Sequence, residues 1–161
     1  MGSVTVAPAR SGTEVEAFRE LLREYVDWLS RDHSIDLGFQ GVEEELCSLP
    51  GKYAPPEGEM LLAYSVEGLP LGCIAVRRFE DQICEIKRLY VRKEARGMGV
   101  GQKLAAEILK VAKDLGYTKA ILDTGSFMDA AQRLYEKAGF SDIPPYYQNP
   151  VAGIRYLGRD L

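Results

Sequence analysis

The stretch Leu89-Tyr90-Val91-Arg92-Lys93-Glu94-Ala95-Arg96-Gly97-Met98-Gly99-Val100-Gly101-Gln102-Lys103-Leu104 constrains this chain most: an apolar strand runs out, glycines alternate, and an amphipathic helix begins. Glycine removes the side chains that would block an approaching ligand. A helix N-terminus adds N–H groups without intrahelical partners and the positive end of the helix dipole. The turn therefore reads as a phosphate cradle. Two familiar cradles fail on spacing, because Gln102 stands where a dinucleotide GxGxxG needs its third glycine and no GxxxxGK[ST] occurs. Between Lys87 and Lys103 there are six basic residues (Lys87, Arg88, Arg92, Lys93, Arg96, Lys103) against one acid, Glu94, in a chain whose net charge is -4. That local surplus points to a multiply phosphorylated small molecule. The plainer alternative is a tight connection with a solvated basic face.

Around this turn the pattern is mixed. Val4 to Ala7 reads as a strand, Thr13-Glu14-Val15-Glu16 as a capping box, and Phe18, Leu21, Leu22, Tyr25 and Leu29 as the apolar stripe of a first helix. Val42 to Leu49 reads as a second, short helix. Met60 to Val66 and Leu71 to Phe79 suggest an antiparallel hairpin, and Ile83 to Val91 a third strand. A helix follows from Gly99 to Leu115 with Val100, Leu104, Ile108, Val111 and Leu115 on one face. Then come a strand Lys119 to Thr124, a helix Asp129 to Ala138 and a last strand Ile154 to Leu157. Strands first, then alternating strand and helix, predict one mixed α/β (α+β) domain spanning 1–161.

Composition excludes other classes. At 161 residues, 46% hydrophobic and 27% charged, the chain has the length and balance of one folded domain. No apolar run reaches the roughly 18 residues of a membrane span. No secretory leader is expected, and Val6 stands where acylation at Gly2 would want Ser or Thr. Cys47, Cys73 and Cys84 are odd in number and widely spaced, which reads as reduced thiols in the cytoplasm. With a single histidine, His33, the set argues against a metal site. The acidic total disfavours nucleic acid as a partner.

Arg96-Gly97-Met98-Gly99-Val100-Gly101 matches the RxxGxG motif of the GNAT superfamily of N-acetyltransferases. Ala131-Gln132-Arg133-Leu134-Tyr135-Glu136-Lys137-Ala138-Gly139-Phe140 resembles a second part of that family's core. The likeness is strong from Ile83 to Phe140. It implies a central, mixed, mostly antiparallel, splayed sheet flanked by helices, and acetyl-CoA as cosubstrate with no metal. The expected activity is N-acetylation of a primary amine of a small molecule, less so of a protein, by direct attack in a ternary complex. The alternative is a noncatalytic acyl-CoA-binding regulatory module, and the assembly, a homodimer included, stays open.

The resemblance also distributes roles. The pyrophosphate would meet the loop Arg96, Gly97, Met98, Gly99, Val100, Gly101 and Gln102, and the pantetheine arm would run along the backbone of Leu89 and Val91 as one more strand. A strand N–H there would stabilise the developing oxyanion. A lysine-like amine has pKa about 10.4 and is about 99.9% protonated at pH 7, so a base is needed. Glu85 is the candidate, its plainer reading being a partner for Lys87 or Arg88. Tyr135 falls on the general-acid position, although it also suits a packed helix face. Where many members carry asparagine, seven residues earlier, this chain has Met128; Ser126 is the substitute considered. Cys84 reads as structural and His33 as a loop residue. Acceptor binding is expected from the N-terminal helices, the loop Gly51 to Gly58, and Tyr146, Tyr147 and Asn149 in the proline-stiffened segment Ile143 to Pro150.

Overall fold

The computed structural model describes residues 3–161; Met1 and Gly2, on which the acylation reading falls, lie outside the described residues. Among the described residues seven strands form one sheet: β1 Thr5–Pro8, β2 Glu59–Tyr64, β3 Pro70–Glu80, β4 Ile83–Val91, β5 Lys119–Thr124, β6 Ser141–Asp142 and β7 Arg155–Asp160. Their order is β1-β2-β3-β4-β5-β7-β6. Neighbours are antiparallel except β4 and β5, which are parallel, so the sheet is mixed as expected. Helices α1 Gly12–His33 and α2 Val42–Ser48 cover one face, and α3 Val100–Asp114 and α4 Asp129–Lys137 the other.

The two-sided apolar content of β2 and β3 has its reason here. A strand sends successive side chains to opposite faces. Met60, Leu62, Cys73 and Ala75 therefore join Phe18, Leu21, Leu22, Leu29 and Leu46 under α1 and α2. Leu61, Ala63, Ile74 and Val76 join Val100, Leu104 and Ile108 of α3. On α3 the buried face also takes Ala105, Leu109 and Ala112, while Val111 and Leu115 are only partly covered.

The capping box stands two residues earlier than expected. Ser11 caps α1 by accepting from the Glu14 N–H at 3.2 Å, and Glu14 Oε1 accepts from the N–H groups of Ser11 at 2.9 Å and Arg10 at 3.0 Å. Ser11-x-x-Glu14 obeys the same rule as Thr13-x-x-Glu16, and it wins because one carboxylate satisfies two N–H groups. The two-residue strand β6 has too short a pattern to read in sequence.

Two irregularities of β4 set up the site. Pairing with β5 covers only Ile83↔Lys119, Cys84↔Ala120 and Glu85↔Ile121. β5 continues against β7 to Thr124↔Arg155, and β4 against β3 to Val91↔Gly72, so the strands part beyond Glu85 and leave an open edge. Opposite Cys73 to Ala75 the register slips, because β4 carries one residue too many, and Arg88 takes φ 65, the left-handed region. This bulge puts Lys87 and Arg88 on the same face, toward α1 and α2, and returns Leu89 to the α3 side.

Candidate active site

At one end of the open edge lies the glycine loop. The loop enters α3 through Gly97 at φ 86 and Gly99 at φ 76, and a Cβ at either would stand in open space. The first backbone bond of α3 runs from the Lys103 N–H to the Gly99 carbonyl at 3.1 Å, and no side chain caps the helix. The N–H groups of Val100, Gly101 and Gln102 are thus unpaired within the helix and open to an anion. A cleft of about 400 Å³ runs from there along Leu89 and Val91, walled by Trp28 and Leu134. The Arg92 N–H bonds the Leu71 carbonyl at 2.8 Å on the β3 side, so strand alternation turns the polar groups of Val91 toward the cleft. There the Val91 carbonyl accepts from Arg96 Nε at 3.1 Å, while the Arg96 guanidinium lies 5.3 Å from the Trp28 ring centroid. A bare strand edge plus an uncapped helix start fits an elongated amide-bearing molecule ending in phosphates, the shape of coenzyme A.

The basic run does not converge on this cleft as its spacing suggested. Arg96 alone of the six lines it. Arg92 pairs with Glu24 at 2.7 Å, Arg88 is held by Glu45 with bonds of 2.8 and 3.0 Å, and Lys93 is exposed. Lys87 faces the opposite pocket.

Past Leu89 the cleft continues into a throat of about 80 Å³ lined by Tyr25, Lys87, Asp123, Met128, Tyr135 and Asn149. Tyr135 is 6% exposed, stands edge-on to Phe140, and its hydroxyl makes no hydrogen bond among the described residues. Burial, with smaller contributions from Tyr25 and Asp123, pushes its phenol well above the ordinary range, so it remains a proton donor. Met128 lines cleft and throat with its sulfur 3.7 Å from Thr124 Oγ1, whereas Ser126 is exposed and borders neither.

The throat opens into an outer pocket of about 410 Å³ among Phe39, Lys52, Arg77, Glu85, Lys87 and Tyr146. Glu85 is 3% exposed and accepts from Arg77 Nε at 2.9 Å and the Tyr146 hydroxyl at 2.7 Å; its partners are neither Lys87 nor Arg88. Tyr147 donates to Asp123, and Asn149 Nδ2 donates to Asp123 at 3.0 Å and to the Tyr147 oxygen at 2.8 Å. The three acceptor-side residues named from sequence thus meet around two carboxylates, Glu85 and Asp123. From the loop Gly51 to Gly58 only Lys52 reaches this pocket. Asp123 and Gln40 have no role in the sequence reading, and Lys87 enters it only within the basic run and as a candidate partner of Glu85; an ionisable residue inside the apolar run Ala120 to Thr124 is the available signal for Asp123. Cys84 packs in the α3-side core with its thiol pushed up to about 12 by burial, and His33 ends α1, stacked on Phe127 at 4.3 Å.

Comparison with known proteins identifies the family and the fold. The sequence model of the Acetyltransferase (GNAT) family matches residues 16–140. An uncharacterised N-acetyltransferase of Schizosaccharomyces pombe is 38% identical over 99% of this chain and 96% of its own length. Among solved structures, a GNAT-family acetyltransferase of Staphylococcus aureus superposes with TM-score 0.78 at 19% identity, covering 98% of this chain and 99% of that one. The PaiA N-acetyltransferase of Thermoplasma acidophilum, solved in complex with coenzyme A, gives TM-score 0.73 at 17% identity over 99% of both chains. With a family match over most of its length and a full-length relative, the chain is an acyltransferase and belongs to the GNAT acetyltransferase family.

Proposed function

We propose that the protein transfers the acetyl group of acetyl-CoA to a primary amine of a small molecule by direct attack in a ternary complex, in a cytoplasmic setting that its free thiols support. The observation that carries this reading is the continuous passage along β4. Cleft and throat share Leu89 and Met128, and throat and outer pocket share Gln40 and Lys87. A thioester lying along the edge would therefore meet an amine arriving from the opposite side.

Acetyl-CoA supplies the activated acetyl group; the chain's residues do the rest. Gly97 to Gln102 hold the pyrophosphate, with Arg96 beside them, and the polar backbone of Leu89 and Val91 holds the pantetheine amides. Two carboxylates are available for the ammonium's proton. Asp123 borders the throat and takes it directly, while Glu85 borders the outer pocket and acts through water. As the C–N bond forms and the C–S bond breaks, Tyr135 gives its proton to the departing sulfur. Tyr146, Tyr147 and Asn149 wall the acceptor and orient the carboxylates.

Acetyl-CoA at about one hundred times its Kd is expected to add about 2.7 kcal/mol, a rise in Tm of about 5–10 °C. Gly99→Val places a side chain in the cleft and strains a left-handed residue by about 1–2 kcal/mol. Its apo Tm falls accordingly, and the ligand-induced rise shrinks or vanishes. An unchanged rise with the variant would reject the loop as the binding site.

Asp123→Asn and Glu85→Gln separate the two proton acceptors. Loss of the throat base should lower kcat about 10²-fold and shift activity toward higher pH, where the amine is already neutral. Glu85→Gln should show the same change at smaller size. Steady-state pH profiles decide, and the opposite ranking would return the direct role to Glu85.

A further inference from the structure

Lys87 is a half-buried cation without an ion-pair partner among the described residues. Lys52 has Glu45 at 3.5 Å and Arg77 has Glu85 at 2.9 Å, but Lys87 forms no ion pair among the described residues and donates to Gln40 Oε1 at 3.5 Å. It borders both the throat and the outer pocket. Around the outer pocket the charges of Lys52 and Arg77 are met by Glu45 and Glu85, which leaves Lys87 as the cation without an ion pair. An ammonium turned into a half-buried cavity costs free energy unless an anion meets it.

We propose that the acceptor carries a carboxylate beside its amine, an amino acid rather than a plain amine or polyamine, and that Lys87 Nζ binds this carboxylate. The proposal rests on the acetyl-transfer reading above. The position of Lys87 decides the spacing: a carboxylate held at the junction leaves the neighbouring carbon, and its amine, in the throat beside Asp123. The remaining substituent lies in the outer pocket against Phe39, Phe79, Tyr146 and Tyr147, an apolar wall. A polyamine would bring further cations to a wall whose one unpaired charge among the described residues is already a cation, Lys87.

The groups facing Lys87 set its titration. Burial is the largest influence, joined by Arg88 on the same strand and Lys52 after α2; Glu85 and Asp123 oppose them. The result is a pKa lowered to about 8. Arg77 of β3 and Tyr146 and Tyr147 complete the surroundings. A bound carboxylate favours the charged form and raises this value. Carboxylate affinity should therefore be full below about pH 8 and fall by up to about tenfold per pH unit above it.

The test uses the whole chain with CoA or acetyl-CoA. Binding of 3-phenylpropionate and its amide to the CoA-loaded protein is measured by calorimetry from pH 6.5 to 9.5. Turnover of L-phenylalanine, 2-phenylethylamine, L-aspartate and spermidine is followed by thiol release and expressed per free amine. The acid is expected to bind at least about tenfold more tightly than the amide and to weaken above about pH 8. An amino acid should exceed its decarboxylated partner at least about tenfold in kcat/KM. In Lys87→Met, checked as folded by its acetyl-CoA-dependent rise in Tm, both ratios should collapse toward one, and Lys87→Arg should restore them. Equal binding of acid and amide, preferred turnover of 2-phenylethylamine or spermidine, or ratios unmoved by Lys87→Met would overturn the proposal. Acid binding that follows this pattern without turnover of any amine would uphold the carboxylate site and reject the transfer reading instead.

Discussion

Replacing Glu45 by alanine is expected to cost about 3–5 kcal/mol of stability, because it strands the Arg88 guanidinium in the interior. The two side chains are 6% and 3% exposed and joined by bonds of 2.8 and 3.0 Å, with Arg88 Nη1 also donating to Gln40 at 2.8 Å. Burial alone would raise the Glu45 carboxyl, but the Arg88 hydrogen bonds and charge outweigh it and hold it low; the same pair keeps Arg88 raised against its own burial. A carboxyl depressed in the folded state contributes stability above its unfolded pKa, and that contribution is lost as pH falls through the folded value. Urea unfolding at pH 7 and pH 4 should therefore show a smaller gap between Glu45→Ala and the parent at the acid end. Arg88→Gly keeps a residue suited to φ 65 but leaves Glu45 buried, and should cost a comparable amount. The double variant should lose distinctly less than both singles added. A Glu45→Ala cost below about 1 kcal/mol would mean that the pair does not hold the bulge to α2.

That pair also marks where sequence reading stopped. The strand, glycine loop and helix from Ile83 to Asp114 were legible because period-two and period-3.6 patterns meet at residues whose conformations are restrictive. The splay of β4 from β5 was legible only through family resemblance, since nothing local says that pairing ends after Glu85. The bulge carried no signal at all: its left-handed residue is an arginine, not a glycine, and an unbulged strand would send Lys87 and Arg88 to opposite faces. Read without it, six cations in seventeen residues look like one anion site. Folded, they serve a cleft, an outer pocket, two ion pairs and the solvent. Tyr146, Tyr147 and Asn149 were legible as an acceptor wall by their chemistry, whereas their partners Glu85 and Asp123 lie 61 and 24 to 26 residues away in the chain, beyond what local spacing reports.

Removing the Tyr135 hydroxyl should separate catalysis from folding more cleanly than any other change. In Tyr135→Phe, kcat is expected to fall about 10²-fold or more, with acetyl-CoA affinity held within about threefold. The ring keeps its packing on Phe140 and the α3-side core, and the hydroxyl has no protein partner to orphan. Stability should then move by less than about 1 kcal/mol, since the large cost of a lost hydrogen bond comes from the group left behind. An ordinary phenol has pKa about 10 and a thiol about 8.5, so proton donation to the departing sulfur is uphill and must be coupled to C–S cleavage. Burial raises the phenol further. Two consequences follow for measurement. The parent should show no loss of kcat at high pH from ionisation of Tyr135, and the variant's deficit should narrow for acyl donors whose thiol is more acidic and leaves without assistance. A deficit equal for strongly and weakly acidic leaving thiols would assign Tyr135 to positioning the thioester, and an undiminished kcat would remove it from the reaction.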